Sequence, residues 1–236
     1  MASRNADTNF LRKKVLLDFR AECLTGKEYF NVAIVGGSLN DNEVALVRER
    51  HPEALFETYG IEECQIFMDL NMNSLSLKEF DLVLCTNVIE HIFHHENFAK
   101  NLISLLNHDG ILWCCFPYND MYHGAPDYYS AGFDPEYVVR LFERNGGVAE
   151  KSKVISSRRG YLFTHLLKDW PSEFRYNHPL VGQILWSLGL RGNSRPPIKN
   201  ISLHRLLVCL YLSLIPKSFT SDQNYGCSGW VKIRKK

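Results

Sequence analysis

Between Glu90 and Glu96 the chain places His91, His94 and His95, three imidazoles in five residues. Imidazoles beside carboxylates can ligate a metal or move a proton near neutral pH. The order is neither HExxH nor HxxEH, the spacings with which a helix presents two histidines to one zinc ion. If the stretch is helical, adjacent side chains diverge and the three rings cannot share one site. The expectation is therefore no metal. A second reactive stretch, residues 122–129, reads Tyr-His-Gly-Ala-Pro-Asp-Tyr-Tyr and brings His123 and Asp127 close together in sequence. It reads either as a substrate-binding loop or as a packed aromatic loop with a capping aspartate.

A third group is a turn. Val32, Ala33, Ile34 and Val35 run without alternation into Gly36, Gly37 and Ser38, and the helical stretch EVALVRER follows. A short unbroken apolar run is the pattern of a strand buried on both faces, as in parallel α/β sheets. Glycines at its carboxyl end admit a ligand close to the backbone. The pattern is not GxGxxG, and no Tyr-x-x-x-Lys is present, so a nicotinamide-dependent oxidoreductase is an alternative without its usual markers.

The elements that must hold these groups alternate. Residues 9–24 carry Leu11, Val15, Leu16, Phe19 and Cys23 at helical spacing. Strands are expected at 32–35, 54–61, 65–68, 80–85 and 111–116, with helices at 41–50 and 97–106 and a turn at 107–110. A helix over 135–144, a strand region over 148–166 and a closing strand over 229–233 complete the pattern. This alternation predicts an α/β fold with a doubly wound, mostly parallel sheet. Residues 168–224 read as a helical, proline-punctuated insertion. The whole chain, 1–236, is expected to be one domain: an N-terminal helix in 1–30, a core sheet in 31–167 and 225–236, and that insertion as a cap.

Composition narrows the class. The 236 residues are 45% hydrophobic and 22% charged, with a formal net charge of +1, an ordinary globular balance without a global field for nucleic acid. The seven cysteines show no CxxC spacing, which favours a reducing, cytoplasmic setting over a disulfide framework. No apolar segment follows Met1, so no signal peptide is expected. Residues 206–215 are apolar but too few to span a bilayer; with the basic IRKK end they leave a peripheral membrane contact, and a lipid-linked acceptor, open.

Taken in order, GGS after the first strand, acids after the second, Asp69 after the third, FDLVLCTNVIEHI and LLNHDGILWCCFP resemble class I S-adenosylmethionine-dependent methyltransferases, small-molecule branch. The resemblance covers roughly residues 30–165 and the terminal strand. It implies a seven-stranded Rossmann-like sheet with an antiparallel last strand. It implies S-adenosyl-L-methionine as cofactor, met by Gly36, Gly37 and Ser38 at its methionine end, by Glu62 at the ribose, by Asp69 at the adenine, and by Asn87 and Val88 along its length. For the ribose acid, Glu63 and Glu57 remain alternatives. The family more often has an acid where Ile34 stands and a further glycine where Leu39 or Asn40 stands. Asp81 is expected to be structural, fixing the start of the fourth strand.

The position of His91 in the resembled family is often near the transferred methyl, and residues 122–129 are similar to a loop of methyltransferases from glycan-assembly clusters. The implied reaction is methyl transfer to a small-molecule hydroxyl, a sugar or glycan first. The hydroxyl must lose its proton, which a neutral imidazole can take. His123 is the first candidate and His91 the second, with Asp127 able to orient or replace either. A non-catalytic relative that binds cofactor or a partner is the other reading. The sequence leaves the oligomeric state open.

Overall fold

A glycine turn and scattered acids make a site only if one sheet edge collects them, and the computed structural model has such an edge. It describes residues 6–61, 63–73, 78–118, 129–156 and 226–236. The chain divides into two units, Val15–Val154 with Ser228–Lys236 and Met1–Lys14 with Ile155–Cys227. The sheet and the site geometry below belong to the first. The expected helical insertion, residues 168–224, lies outside the described residues.

The order of elements is α1 (Ala6–Glu22), β1 (Asn31–Val35), α2 (Asn42–Arg50), β2 (Leu55–Gly60), β3 (Ile66–Phe67), β4 (Phe80–Thr86), α3 (His95–Ser104), β5 (Leu106–Pro117), α4 (Pro135–Arg144), β6 (Gly147–Ser156) and β7 (Gly226–Lys235). Among the described residues seven strands form one sheet in the order β3-β2-β1-β4-β5-β7-β6. β2, β1, β4 and β5 pair in parallel, and β7 runs antiparallel beside β5. This is the expected α/β, doubly wound, mostly parallel sheet with an antiparallel last strand.

Both faces of the central strands are buried, as the unbroken apolar runs required. On one face Ala33, Val35, Val83, Cys85, Leu112, Cys114 and Phe116 join Phe98 and Leu102 of α3 and Leu141 and Phe142 of α4 in one core. On the other, Phe19 of α1 meets Trp113 at 5.3 Å, and Trp113 stacks on Trp230 at 4.6 Å. Asp18 accepts from the Trp230 indole at 3.2 Å and pairs with Lys153 at 3.0 Å, which fixes how α1 lies on the sheet. α4 starts where its sequence says it should: Asp134 accepts from the Glu136 N–H at 2.8 Å, and Pro135 occupies the first turn.

Two elements differ from expectation. α3 begins at His95 and ends at Ser104, because Leu106 already pairs with Phe80. The expected turn at 107–110 lies within β5 as an irregularity, since the ladder shifts register between the Phe80↔Leu106 and Leu82↔Ile111 pairs. Asp109 takes φ +63° there. Asp81 holds this bulge: its Oδ1 accepts from Asn107 Nδ2 at 2.6 Å, while Oδ2 accepts from the Phe30 and Asn31 N–H groups at 2.8 and 2.9 Å. The structural role expected of Asp81 is what its carboxylate performs. Asp81→Ala is expected to cost about 1.5–3 kcal/mol in urea unfolding, since hydrogen bonds to a charged group are lost; a change under about 0.5 kcal/mol would contradict this role.

Candidate functional site

The carboxyl ends of β1, β2, β3, β4 and β5 lie along one edge of the sheet. β1 gives way there to Gly36, whose N–H donates to the Tyr59 carbonyl at 2.8 Å and whose φ is +66°. A Cβ on Gly36 would stand 2.5 Å from Cγ2 of Val88, the buried residue of the loop after β4. The glycine is thus demanded first by backbone conformation and by Val88. Gly37 is held on its other side by Asp41, whose Oδ2 a Cβ would meet at 2.3 Å.

Asp41 organises the rest of the turn. Its carboxylate accepts from the Ser38 N–H at 3.1 Å and from the Ser38 hydroxyl at 3.2 Å, and Ser38 Oγ in turn accepts from the Asn40 N–H at 3.3 Å. Asp41 therefore makes no side-chain cap on α2, although it is the N-cap residue. Gly36 and Ser38 remain exposed at the edge.

The loop after β4 meets this turn through Val88. Asn87 is exposed at φ +54°, and its N–H donates to the Cys115 carbonyl of β5 at 3.0 Å. A short 3-10 turn, Ile89–His91, follows, with Ile89 and Glu90 buried and His91 half-buried. His91 thus lies in that turn and not in the helix, since α3 begins four residues later. His94 is also outside the helix, its ring 5.0 Å from that of Phe93. His95, first residue of α3, places Nδ1 2.8 Å from the Tyr137 hydroxyl and its ring 5.2 Å from Phe133. Burial holds the His95 imidazole below its ordinary pKa, so the neutral ring prevails at pH 7. The three histidines accordingly serve three different environments. Among the described residues no group of three or more His, Cys, Asp or Glu side chains is arranged to hold a metal ion.

Asp69 sits half-buried just past β3, with Oδ1 accepting from the Asn71 N–H at 2.9 Å. A carboxylate keeps further acceptor positions beyond one such bond. Of the acids near β2, Glu57 lies within the strand and pairs with Lys78, and Glu63 is exposed beyond the strand end at φ +47°. Glu62, His123 and Asp127 lie outside the described residues. The flanks of the His123 segment are on the same edge: the Phe133 N–H donates to the Pro117 carbonyl at 2.9 Å, and the Tyr129 N–H donates to the Glu90 carbonyl at 2.8 Å.

This edge therefore joins Gly36, Gly37, Ser38, Asp69, Asn87 and Val88, with His91 in the short turn that Val88 leads into. Exposed backbone at a glycine turn and a carboxylate two loops away fit a ligand with polar groups at both ends. Residues 21–114 match the family model of a methyltransferase domain. Over those residues the chain is similar to a methyltransferase domain.

Solved structures share the fold of this chain. The O-methyltransferase from the trans-AT PKS multienzyme of Brevibacillus brevis, in complex with S-adenosyl-L-homocysteine, is similar at TM-score 0.53 and 13% identity, over 95% of this chain and 71% of that one. The cyclase SpnF is similar at TM-score 0.53 and 13% identity, over 98% and 80% of the two chains. Coclaurine N-methyltransferase bound to N-methylheliamine and SAH is similar at TM-score 0.51 and 13% identity, over 95% and 70%. Such identities carry the fold and no acceptor. No curated protein sequence matches the chain.

The sequence reading missed Asn71. Its side chain bonds to residues more than twenty positions away, a relation that no local pattern signals; the only trace is the polar composition of DLNMN after β3.

Proposed function

We propose that this protein transfers the methyl group of S-adenosyl-L-methionine to a hydroxyl of a small molecule, most suitably a sugar or glycan. The observation that carries the reading is the meeting of Gly36 and Val88 at the ends of β1 and β4, with Asp69 at the end of β3, inside the stretch that matches the methyltransferase family model. Bound there, the cofactor supplies a sulfonium methyl that a nucleophile displaces in line. The chain's own contribution is mostly positioning. The glycine turn and the Asn87 loop receive the methionine end and the body of the cofactor, Asp69 accepts from the adenine amino group, and Glu62 takes the ribose hydroxyls. His123, or else His91, takes the acceptor's proton, with Asp127 orienting it. The aromatic residues Trp170, Phe174, Tyr176 and Trp186 are of a type that stacks on a sugar ring, which suits such an acceptor.

A cytoplasmic setting belongs to this reading. Among the described residues Cys23, Cys64, Cys85, Cys114 and Cys115 are free thiols, and burial pushes the pKa of the Cys23 thiol up to about 12. Among those residues no helix is long and apolar enough to cross a membrane. Incubation with labelled S-adenosylmethionine and a panel of sugars, phenols and amines tests the acceptor class; label on amines alone would overturn the hydroxyl assignment. The reaction is expected to proceed unchanged in a strong chelator. Activity lost there and restored by a divalent ion would show that a metal takes part.

A second reading has its own observation. Asp41 engages the Ser38 N–H, and Ile34 stands where the family more often has an acid. The second is a departure from the family's pattern, and the first occupies the Ser38 N–H; together they suit a relative which binds cofactor without turnover. Binding of S-adenosylmethionine with no methylated product across that panel would favour it.

A further inference from the structure

Two loops of the edge, those after β3 and β4, are tied together through one asparagine. The backbone N–H of Asn71 donates to Asp69 Oδ1 at 2.9 Å. The side-chain Oδ1 of the same residue accepts from the Phe93 N–H at 2.8 Å and the His94 N–H at 3.1 Å. Its carbonyl accepts from Asn97 Nδ2 at 2.6 Å, and Asn101 Nδ2 donates to the Met72 carbonyl at 2.7 Å. Side-chain amides of α3 thus hold the loop after β3, and Asn71 holds the segment that leads into α3.

That segment carries an exposed aromatic pair. Phe93 is 66% exposed and Tyr129 is 50% exposed, yet their rings meet edge-to-face at 5.5 Å. Tyr129 belongs to the loop after β5 and is fixed to the loop after β4 by its bond to the Glu90 carbonyl at 2.8 Å. The backbones of both residues are pinned, and on the Phe93 side the pin is Asn71. An Asn Oδ1 with two N–H donors uses both acceptor lone pairs, so its orientation is determined.

Resting on the cofactor reading above, we propose that Asn71 is a positioning residue coupling occupancy of Asp69 to the placement of the Phe93–Tyr129 pair. A ligand group drawn to the Asp69 carboxylate reorients or steadies it. The loop 69–72 follows through the Asn71 N–H, and Phe93 and His94 follow through Oδ1. The coupling is reciprocal: whatever orders the aromatic pair tightens the hold on the cofactor.

Amide hydrogen exchange with and without S-adenosylhomocysteine tests this without an acceptor. In the unaltered protein the compound is expected to bind and to slow exchange at least fivefold over residues 91–97 as well as 69–72. In Asn71→Ala it is expected to bind within about tenfold of the original affinity and to slow 69–72 but not 91–97. Asn71→Asp keeps the acceptor oxygen and should restore the effect at 91–97. Full slowing at 91–97 in Asn71→Ala overturns the proposal. So does loss of fold in both Asn71→Ala and Asn71→Ser, which would make the residue structural. Failure of the unaltered protein to bind S-adenosylhomocysteine would instead defeat the cofactor reading and take this proposal with it.

Discussion

Replacing His123 by alanine is expected to lower methyl-transfer turnover about 10²–10⁴-fold, the range over which a positioned general base acts. An alcohol must come within about 3–3.5 Å of the methyl carbon while its proton has somewhere to go. The segment that carries His123 leaves the sheet after Pro117 and is next described at Tyr129, which is bonded to Glu90. Both flanks therefore stand on the edge that holds Gly36 and Asn87. A neutral imidazole acting as base gains with pH, so the rate of the unaltered enzyme should rise through about pH 6–7 and then level. In His123→Ala that rise should vanish, while affinity for S-adenosylmethionine stays within about threefold. The assay is initial rate against pH with labelled cofactor and the acceptor found by screening. If His123→Ala and His91→Ala both keep near-normal turnover, no histidine base operates, and Asp127 or positioning carries the reaction.

Gly36→Val is expected to abolish cofactor binding altogether. A β-branched residue at φ +66° is strained by about 1–2 kcal/mol on conformation alone. Its Cβ would also stand 2.5 Å from Val88 Cγ2, so Val88 must move and the Asn87 loop with it. Both sides of the cofactor position are displaced by one substitution. Gly26→Ala is the control: Gly26 has φ +72°, and a Cβ added there would meet nothing within 4 Å, so it carries the strain without the clash. Calorimetry should show no binding in Gly36→Val and near-normal binding in Gly26→Ala, with circular dichroism verifying the fold of both. Unchanged affinity in Gly36→Val would remove the cofactor from the end of β1.

The sheet was legible where burial on both faces writes itself as an unbroken apolar run. Val32–Val35 and residues 82–85 and 111–116 are such runs, and each became part of a strand at the centre of the sheet. The antiparallel direction of the last strand came from the family resemblance and is present beside β5, whereas its place between β5 and β6 has no local cause in the sequence and was not expected. The 107–110 turn had the right local conformation in the wrong context, because pairing with β4 resumes on both sides of it and Asp81 closes the gap. The start of α3 was missed by two residues, since no side-chain cap marks it. At the site, the glycines and Asp69 could be read from residue type and order. Their partners could not. Val88 against Gly36, Asp41 on Ser38 and Asn71 on Phe93 are contacts that only the assembled loops create.

Isothermal titration of the purified protein with S-adenosylmethionine, and separately with NAD, tests the central claim most directly. The account predicts saturable one-to-one binding of S-adenosylmethionine and none of NAD, with binding weakened about 10–100-fold in Asp69→Ala if a buried adenine hydrogen bond is lost. Binding of NAD, or no heat with S-adenosylmethionine under any condition that preserves the fold, would contradict it.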